Sequence, residues 1–127
     1  MLELLRLASE RGVTVHACHL PGDMLGCYEP GAERIWFDLR LTPHERRSVI
    51  AHELGHHHYG HRESTPRNER LANRYAARLL IDPEEYAQAE RLYSEAEAIA
   101  DELRVTVKII ESYRTLCLGP ESMLRSA

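Results

Sequence analysis

The sequence has little of what several protein classes require. It contains three cysteines, Cys18, Cys27 and Cys117, which cannot all pair within the chain and whose spacing matches no zinc knuckle. A disulfide scaffold is thereby excluded, and free thiols in a reducing cytoplasm are expected. Uninterrupted apolar runs reach only about three residues, against the ~20 that a membrane span needs. Met1-Leu2-Glu3 offers neither a basic n-region nor an apolar h-region, so no secretory signal is expected. Positive charge is also short. Sixteen Lys and Arg against twenty Asp and Glu leave a net charge of −4, the wrong sign for a surface that coats nucleic acid or an anionic membrane. What is present, 43% hydrophobic and 28% charged residues in 127, is the balance of a folded soluble chain and suits one domain spanning residues 1–127. One residue type is in excess. Five of the eight histidines fall between His52 and His61.

Apolar positions recur at helical spacing over residues 2–11, with Leu2, Leu5 and Ala8 flanked by Leu4 and Leu7, and Gly12 follows where a C-terminal glycine belongs. Three strands are expected next, Val13–Leu20, Leu25–Glu29 and Arg34–Leu41, separated by Pro21-Gly22-Asp23 and Pro30-Gly31. In the third, Ile35, Phe37, Leu39 and Leu41 alternate with Arg34, Trp36, Asp38 and Arg40, the period of a half-buried strand. These segments predict a small antiparallel sheet near the N-terminus. The rest reads as helix. Thr42-Pro43-His44-Glu45 is a capping box with proline at the first helical position, and Gly60 is placed to end that helix. Asp82-Pro83-Glu84-Glu85 repeats the device, Ser94-Glu95-Ala96-Glu97 is a further candidate, and Thr65-Pro66 is a weaker start. Helices are expected near 43–59, 66–81, 83–92, 94–103 and 107–116, which makes the chain an α+β domain with a mostly helical core.

The first of these helices carries His52-Glu53-Leu54-Gly55-His56, an H-E-x-x-H sequence. Four residues are slightly more than one helical turn, so both imidazoles project from one face and can chelate one metal ion, which for histidine nitrogen suits zinc. Glu53 lies about 100° round the helix, beside the metal rather than on it, where it can take a proton from metal-activated water. The plainer alternative is a histidine-rich surface helix with no metal. A third ligand discriminates, since a catalytic zinc keeps three protein ligands and one open position. The pattern H-E-x-x-H-x-x-G-x-x-H fails, because Gly60 and His61 stand four and five residues after His56. A glutamate from the following helix is the other choice, and Glu69-Arg70-Leu71-Ala72-Asn73 offers one. Glu69 is read as the third ligand on its register with Asn73, which one turn later can hold a ligating histidine through its second ring nitrogen. Otherwise Glu69 is an exposed charge near a helix start, where the dipole favours it.

These residues, with Arg74-Tyr75-Ala76-Ala77-Arg78-Leu79-Leu80-Ile81-Asp82-Pro83 that follow, resemble the ImmA/IrrE family of metallopeptidases, which shows H-E-L-G-H and then a segment like E-x-E-A-N-R-F-A-A-x-L-L-M-P. Leu103-Arg104-Val105-Thr106 is similar to the family's downstream turn between helices. Leu71 stands where many members carry a second glutamate, and Ile81-Asp82-Pro83 replaces the usual M-P. The resemblance implies a zincin-like catalytic core and a zinc-dependent endopeptidase. Its substrate would be a helix-turn-helix transcriptional repressor, cut so that its target genes are released, in bacterial or phage systems.

On this reading His52, His56 and Glu69 hold Zn2+, or Mn2+, which histidine and carboxylate also accept. Glu53 is the catalytic base and Asn73 supports a ligand. A binding module that inactivates a repressor without cutting it is the alternative from another class, but it has no need of Glu53. A purely structural zinc site would call for four ligands and more cysteine. His57, His58 and His61 read as polar positions at a helix end, and His16, His19 and His44 receive no role. Tyr75, Tyr86, Tyr113 and Arg114 are candidates for stabilising a transition-state oxyanion, with Tyr75 also assigned to an apolar stripe with Leu71 and Leu79. Cys18 and Cys27 read as buried thiols rather than nucleophiles. Helices 94–103 and 107–116 carry too few cations to read DNA and are expected to pack on the catalytic helices. No direct nucleic-acid or membrane partner is expected.

Overall fold

Three cap signals in the sequence become three helix starts. The computed structural model describes residues 1–118. Helix α1 (Leu2–Glu10) is followed by β1 (Thr14–Cys18), β2 (Gly26–Glu29) and β3 (Arg34–Asp38), then by α2 (Pro43–Tyr59), α3 (Pro66–Leu80), α4 (Pro83–Leu92), α5 (Ala96–Leu103) and α6 (Val107–Ser112). A π-helical turn, Tyr113–Cys117, continues α6 to the end of the expected 107–116 helix. The Thr42 hydroxyl accepts from the Glu45 N–H while the Glu45 carboxylate accepts from the Thr42 N–H at 2.9 Å, so both arms of the capping box form. Thr65 and Asp82 cap α3 and α4 through the N–H groups of Asn68 and Glu85. The box expected at Ser94 does not form. α5 starts at Ala96, with Glu95 at its N-cap and no side-chain cap.

The α+β class holds, but the sheet is mixed rather than antiparallel. Its order is β1-β3-β2. β2 and β3 make an antiparallel hairpin with Gly26 opposite Phe37, whereas β1 runs parallel to β3 with Thr14 opposite Arg34. Residues 19–25 therefore carry the chain past the end of β3 to the far edge, and Pro21-Gly22-Asp23 bends this crossover instead of closing a hairpin. Asp38 secures it. Its carboxylate is 1% exposed and accepts from the Leu20 N–H at 2.9 Å, the Arg40 N–H at 3.0 Å and the Arg40 guanidinium at 2.6 Å. The expected alternation ends there as well. Asp38 is buried and Leu39 is 46% exposed, because a satisfied carboxylate takes the inward place.

α2 runs through the middle, with the sheet on one side and α3 on the other, and buries Ile50, Ala51 and Leu54 completely. The α3 face buried deepest is Ala72, Ala76, Ala77 and Leu80; of the expected stripe, Tyr75 does pack half-buried on the core, Leu71 is half-buried and Leu79 is 38% exposed. The cause lies in α2. A Cβ on Gly55 would stand 2.9 Å from Ala72 Cα and 3.0 Å from Ala72 O, so the two helices cross with backbone nearly in contact and only small side chains fit between them. Arg47 on α2 donates to the carbonyls of Leu103 and Arg104 at 3.1 and 3.0 Å, and Ser48 Oγ accepts from the Thr106 N–H at 3.2 Å. The turn between α5 and α6 is thus tied to α2, while α6 and the π turn pack on α3, so the pair packs on the two helices as expected. Among the described residues no helix is long and apolar enough to cross a membrane.

Candidate metal centre

The close crossing of α2 and α3 brings His52, His56 and Glu69 together. His52 Nε2 lies 3.1 Å from Glu69 Oε1, His56 Nε2 lies 2.9 Å from Glu69 Oε2, and the two Nε2 atoms are 3.1 Å apart. For a tetrahedral ion with bonds of ~2.0–2.1 Å, the edges between donor atoms are about 3.3 Å, so these spacings suit one small cation held by three protein ligands. Two imidazoles and a carboxylate are also the donor set of a catalytic zinc site with its fourth position open. Burial holds the pKa of both rings below the ordinary imidazole value, for His52 against the pull of Glu69 and for His56 with help from His52. Both therefore favour the neutral form that binds metal. Asn73 stands beside His52 on the wall of one cavity and, with Glu69, draws that ring's pKa upward against burial.

Glu53 sits beside this cluster and does not belong to it. It is 8% exposed, and its carboxyl is pushed up to about 8, first by burial and then by the charge of Glu69, with Lys108 and a backbone hydrogen bond from Tyr28 acting the other way. That backbone contact is possible because β2 lies close on α2. A Cβ on Gly26 would stand 2.3 Å from Val49 Cγ1, so glycine is needed there to bring the edge strand onto the helix. Cavities open on both sides of the pair formed by Gly26 and Glu53. One, of about 310 Å³, reaches Tyr28, His56, His61 and Glu69, and the other, of about 410 Å³, reaches Leu25, His52, Asn73, Lys108 and Ile109.

The structure places the remaining candidates elsewhere. Tyr86 and Tyr113 are buried against each other with ring centroids 4.8 Å apart, and Arg114 Nε donates to Tyr86 Oη at 2.7 Å. Tyr75 stacks on His58 at 4.8 Å. None of these four lines either cavity beside Glu53. Cys18 and Cys27 are half-buried, and burial, with the charges of Glu53 and Glu29, pushes the Cys27 thiol up, which disfavours a nucleophilic thiolate.

Residues that periodicity does not single out do line the cavities: Tyr28, His61, Arg62 and Lys108. His57 also has definite partners, Glu33 Oε2 at 2.8 Å and Tyr28 Oη at 3.0 Å, so it ties α2 to the β2–β3 hairpin. The histidine run itself was the available signal, and dismissing its tail as helix-end polarity passes over these contacts.

No curated protein matches the chain significantly. A family model does match, over residues 8–112, a span that takes in β1 to β3, the H-E-x-x-H helix, Glu69 and the turn before α6. The chain belongs to the metallopeptidase family Peptidase_M78, the IrrE N-terminal-like domain.

Proposed function

We propose that the protein is a zinc-dependent endopeptidase that cuts a helix-turn-helix transcriptional repressor and so relieves repression. The observation that carries the catalytic reading is the convergence of His52 Nε2, His56 Nε2 and the Glu69 carboxylate within about 3 Å of one another, beside a buried carboxyl that lies outside the cluster. A zinc ion there supplies Lewis acidity toward water and the scissile carbonyl. Manganese suits the same donors less well than zinc in a site with two imidazoles.

The chain's own groups do the rest. Glu53 takes a proton from water as the oxygen attacks the peptide carbonyl carbon, then passes it to the leaving nitrogen as the C–N bond breaks. β2 lies against α2 beside Glu53, and the Tyr28 backbone draws the Glu53 pKa down against burial. The same alternation orients the substrate. Leu25 C=O accepts from the Asp38 N–H, so the backbone groups of Gly26, like those of Tyr28, turn away from β3 toward the cleft, where an extended peptide can pair with the edge. Membership of the family supports the peptidase class. The repressor is proposed from the resemblance of the two motif blocks.

The test incubates zinc-loaded protein with purified helix-turn-helix repressors and reads the fragments by mass spectrometry. One dominant cut by the wild type and none by Glu53→Gln is expected. A Glu53→Gln variant that relieves repression in cells as fully as the wild type would overturn the proteolytic reading.

A further inference from the structure

The ring of His56 has a second nitrogen, and the fold supplies its partner. While Nε2 faces His52 and Glu69, Nδ1 lies 3.0 Å from Nδ1 of His61. The backbone puts His61 there. α2 ends at Gly60 in the left-handed conformation, φ 66°, with the Gly60 N–H donating to His57 O at 3.1 Å and the His61 N–H donating to His56 O at 2.9 Å. This pair of bonds is a Schellman cap, which folds the residue after the glycine back over the residue five before it, here His56. That contact is ordinarily apolar. Here it is imidazole on imidazole, with ring centroids 5.2 Å apart.

We propose that His61 is a positioning residue of the metal centre, accepting a hydrogen bond from Nδ1–H of His56 and so fixing the tautomer and ring angle that present Nε2 to the ion. The inference rests on the metal-site reading above. A neutral imidazole carries one N–H and one lone pair. If His56 gives its Nε2 lone pair to a metal, its proton is on Nδ1, and the group facing Nδ1 has to accept. His61 then offers the lone pair of its own Nδ1 and keeps its proton on Nε2. Ligating histidines generally donate their remaining N–H to such an outer partner, and its loss weakens metal binding. The Nδ1 partner of His56 thus comes from the cap of its own helix, while Glu69 reaches its Nε2 from α3. His61 is not itself a ligand in this arrangement, since its Nδ1 meets His56 on the side away from the His52–His56–Glu69 cluster.

The test is a zinc competition titration of the full chain, with the visible spectrum of the Co2+-loaded protein as second readout, for wild type, His61→Ala and His61→Asn. Asparagine can place an acceptor oxygen where Nδ1 stands. His61→Ala is expected to bind zinc about 10- to 100-fold more weakly and to shift the cobalt bands, while His61→Asn stays close to wild type in both. The metal-free forms should unfold at similar temperatures, because the cap bonds are made by backbone. Tight zinc binding and an unshifted cobalt spectrum in His61→Ala would overturn the inference while leaving the metal site intact. Equal weakening in both variants with a matching loss of apoprotein stability would reduce His61 to a structural role. A wild type that takes no zinc would overturn the inference and the metal-site reading together.

Discussion

Glu53 shows how one side chain records the state of the whole site. In the metal-free protein its carboxyl is pushed up to about 8 by burial beside the Glu69 carboxylate, so at neutral pH it carries a proton. Because the folded value lies above the unfolded one, this residue lowers the stability of the metal-free protein progressively as pH rises from the ordinary carboxylate range toward 8. A dication on His52, His56 and Glu69 reverses the local field and favours the ionised form. Zinc binding near pH 7 is therefore expected to expel about one more proton from the wild type than from Glu53→Gln, measured by calorimetry in buffers of different ionisation enthalpy. Equal proton release in the two would mean that Glu53 does not sense the ion. His52 and His56 contribute little to this release, since burial already keeps both rings toward the neutral form.

At the scale of elements, the site depends on how closely α2 approaches its neighbours. Gly55 lets α3 come in and carry Glu69 to the two histidines, and Gly26 lets β2 come in beside Glu53. Gly55→Ala adds a Cβ that meets backbone of Ala72, which cannot swing aside. The variant is expected to lose roughly 1–3 kcal/mol of stability, read by urea unfolding, and to bind zinc more weakly because Glu69 is displaced. Unchanged zinc affinity in a folded Gly55→Ala protein would show that the crossing does not set the ligand geometry. These elements also mark what the sequence reveals. The spacing of His52 with His56 and of Glu69 with Asn73 is legible because each pair lies one turn apart on one helix, and the capping residues state where those helices begin. The role of Gly55 is invisible in a one-dimensional pattern, since it concerns the approach of two helices. Of the stripe Leu71, Tyr75 and Leu79, Tyr75 does pack on the core, but the deepest places go to Ala72, Ala76 and Ala77 because helix separation, not residue size, decides them. The contact of His61 with His56 escapes periodicity because it is made by a left-handed turn, although Gly60 announces that turn.

Over the whole molecule, the pairing of β1 with β3 was beyond reach of turn signals, because Pro21-Gly22-Asp23 looks the same in a hairpin and in a crossover. The three-dimensional arrangement instead depends on Asp38, whose carboxyl the Arg40 guanidinium and the Leu20 N–H hold well below the usual carboxylate range. A depressed folded value means that the unfolded chain binds more protons at this site. The stabilisation from Asp38 is thus fully present above about pH 4 and is lost as pH falls through the lower folded value. The stability gap between wild type and Asp38→Asn should stay level from about pH 7 to pH 5 and narrow below about pH 4, followed by chemical denaturation across that series. A gap that widens in acid would contradict the assignment.

On this reading three side chains from two helices, His52, His56 and Glu69, hold one metal ion. Elemental analysis of zinc in purified wild type beside Glu69→Ala tests it most directly, with circular dichroism to establish that both are folded. Close to one zinc per wild-type chain and a sharp fall in Glu69→Ala are expected. A folded wild type with little zinc, or a Glu69→Ala protein that keeps it, would rule out a metal held by His52, His56 and Glu69.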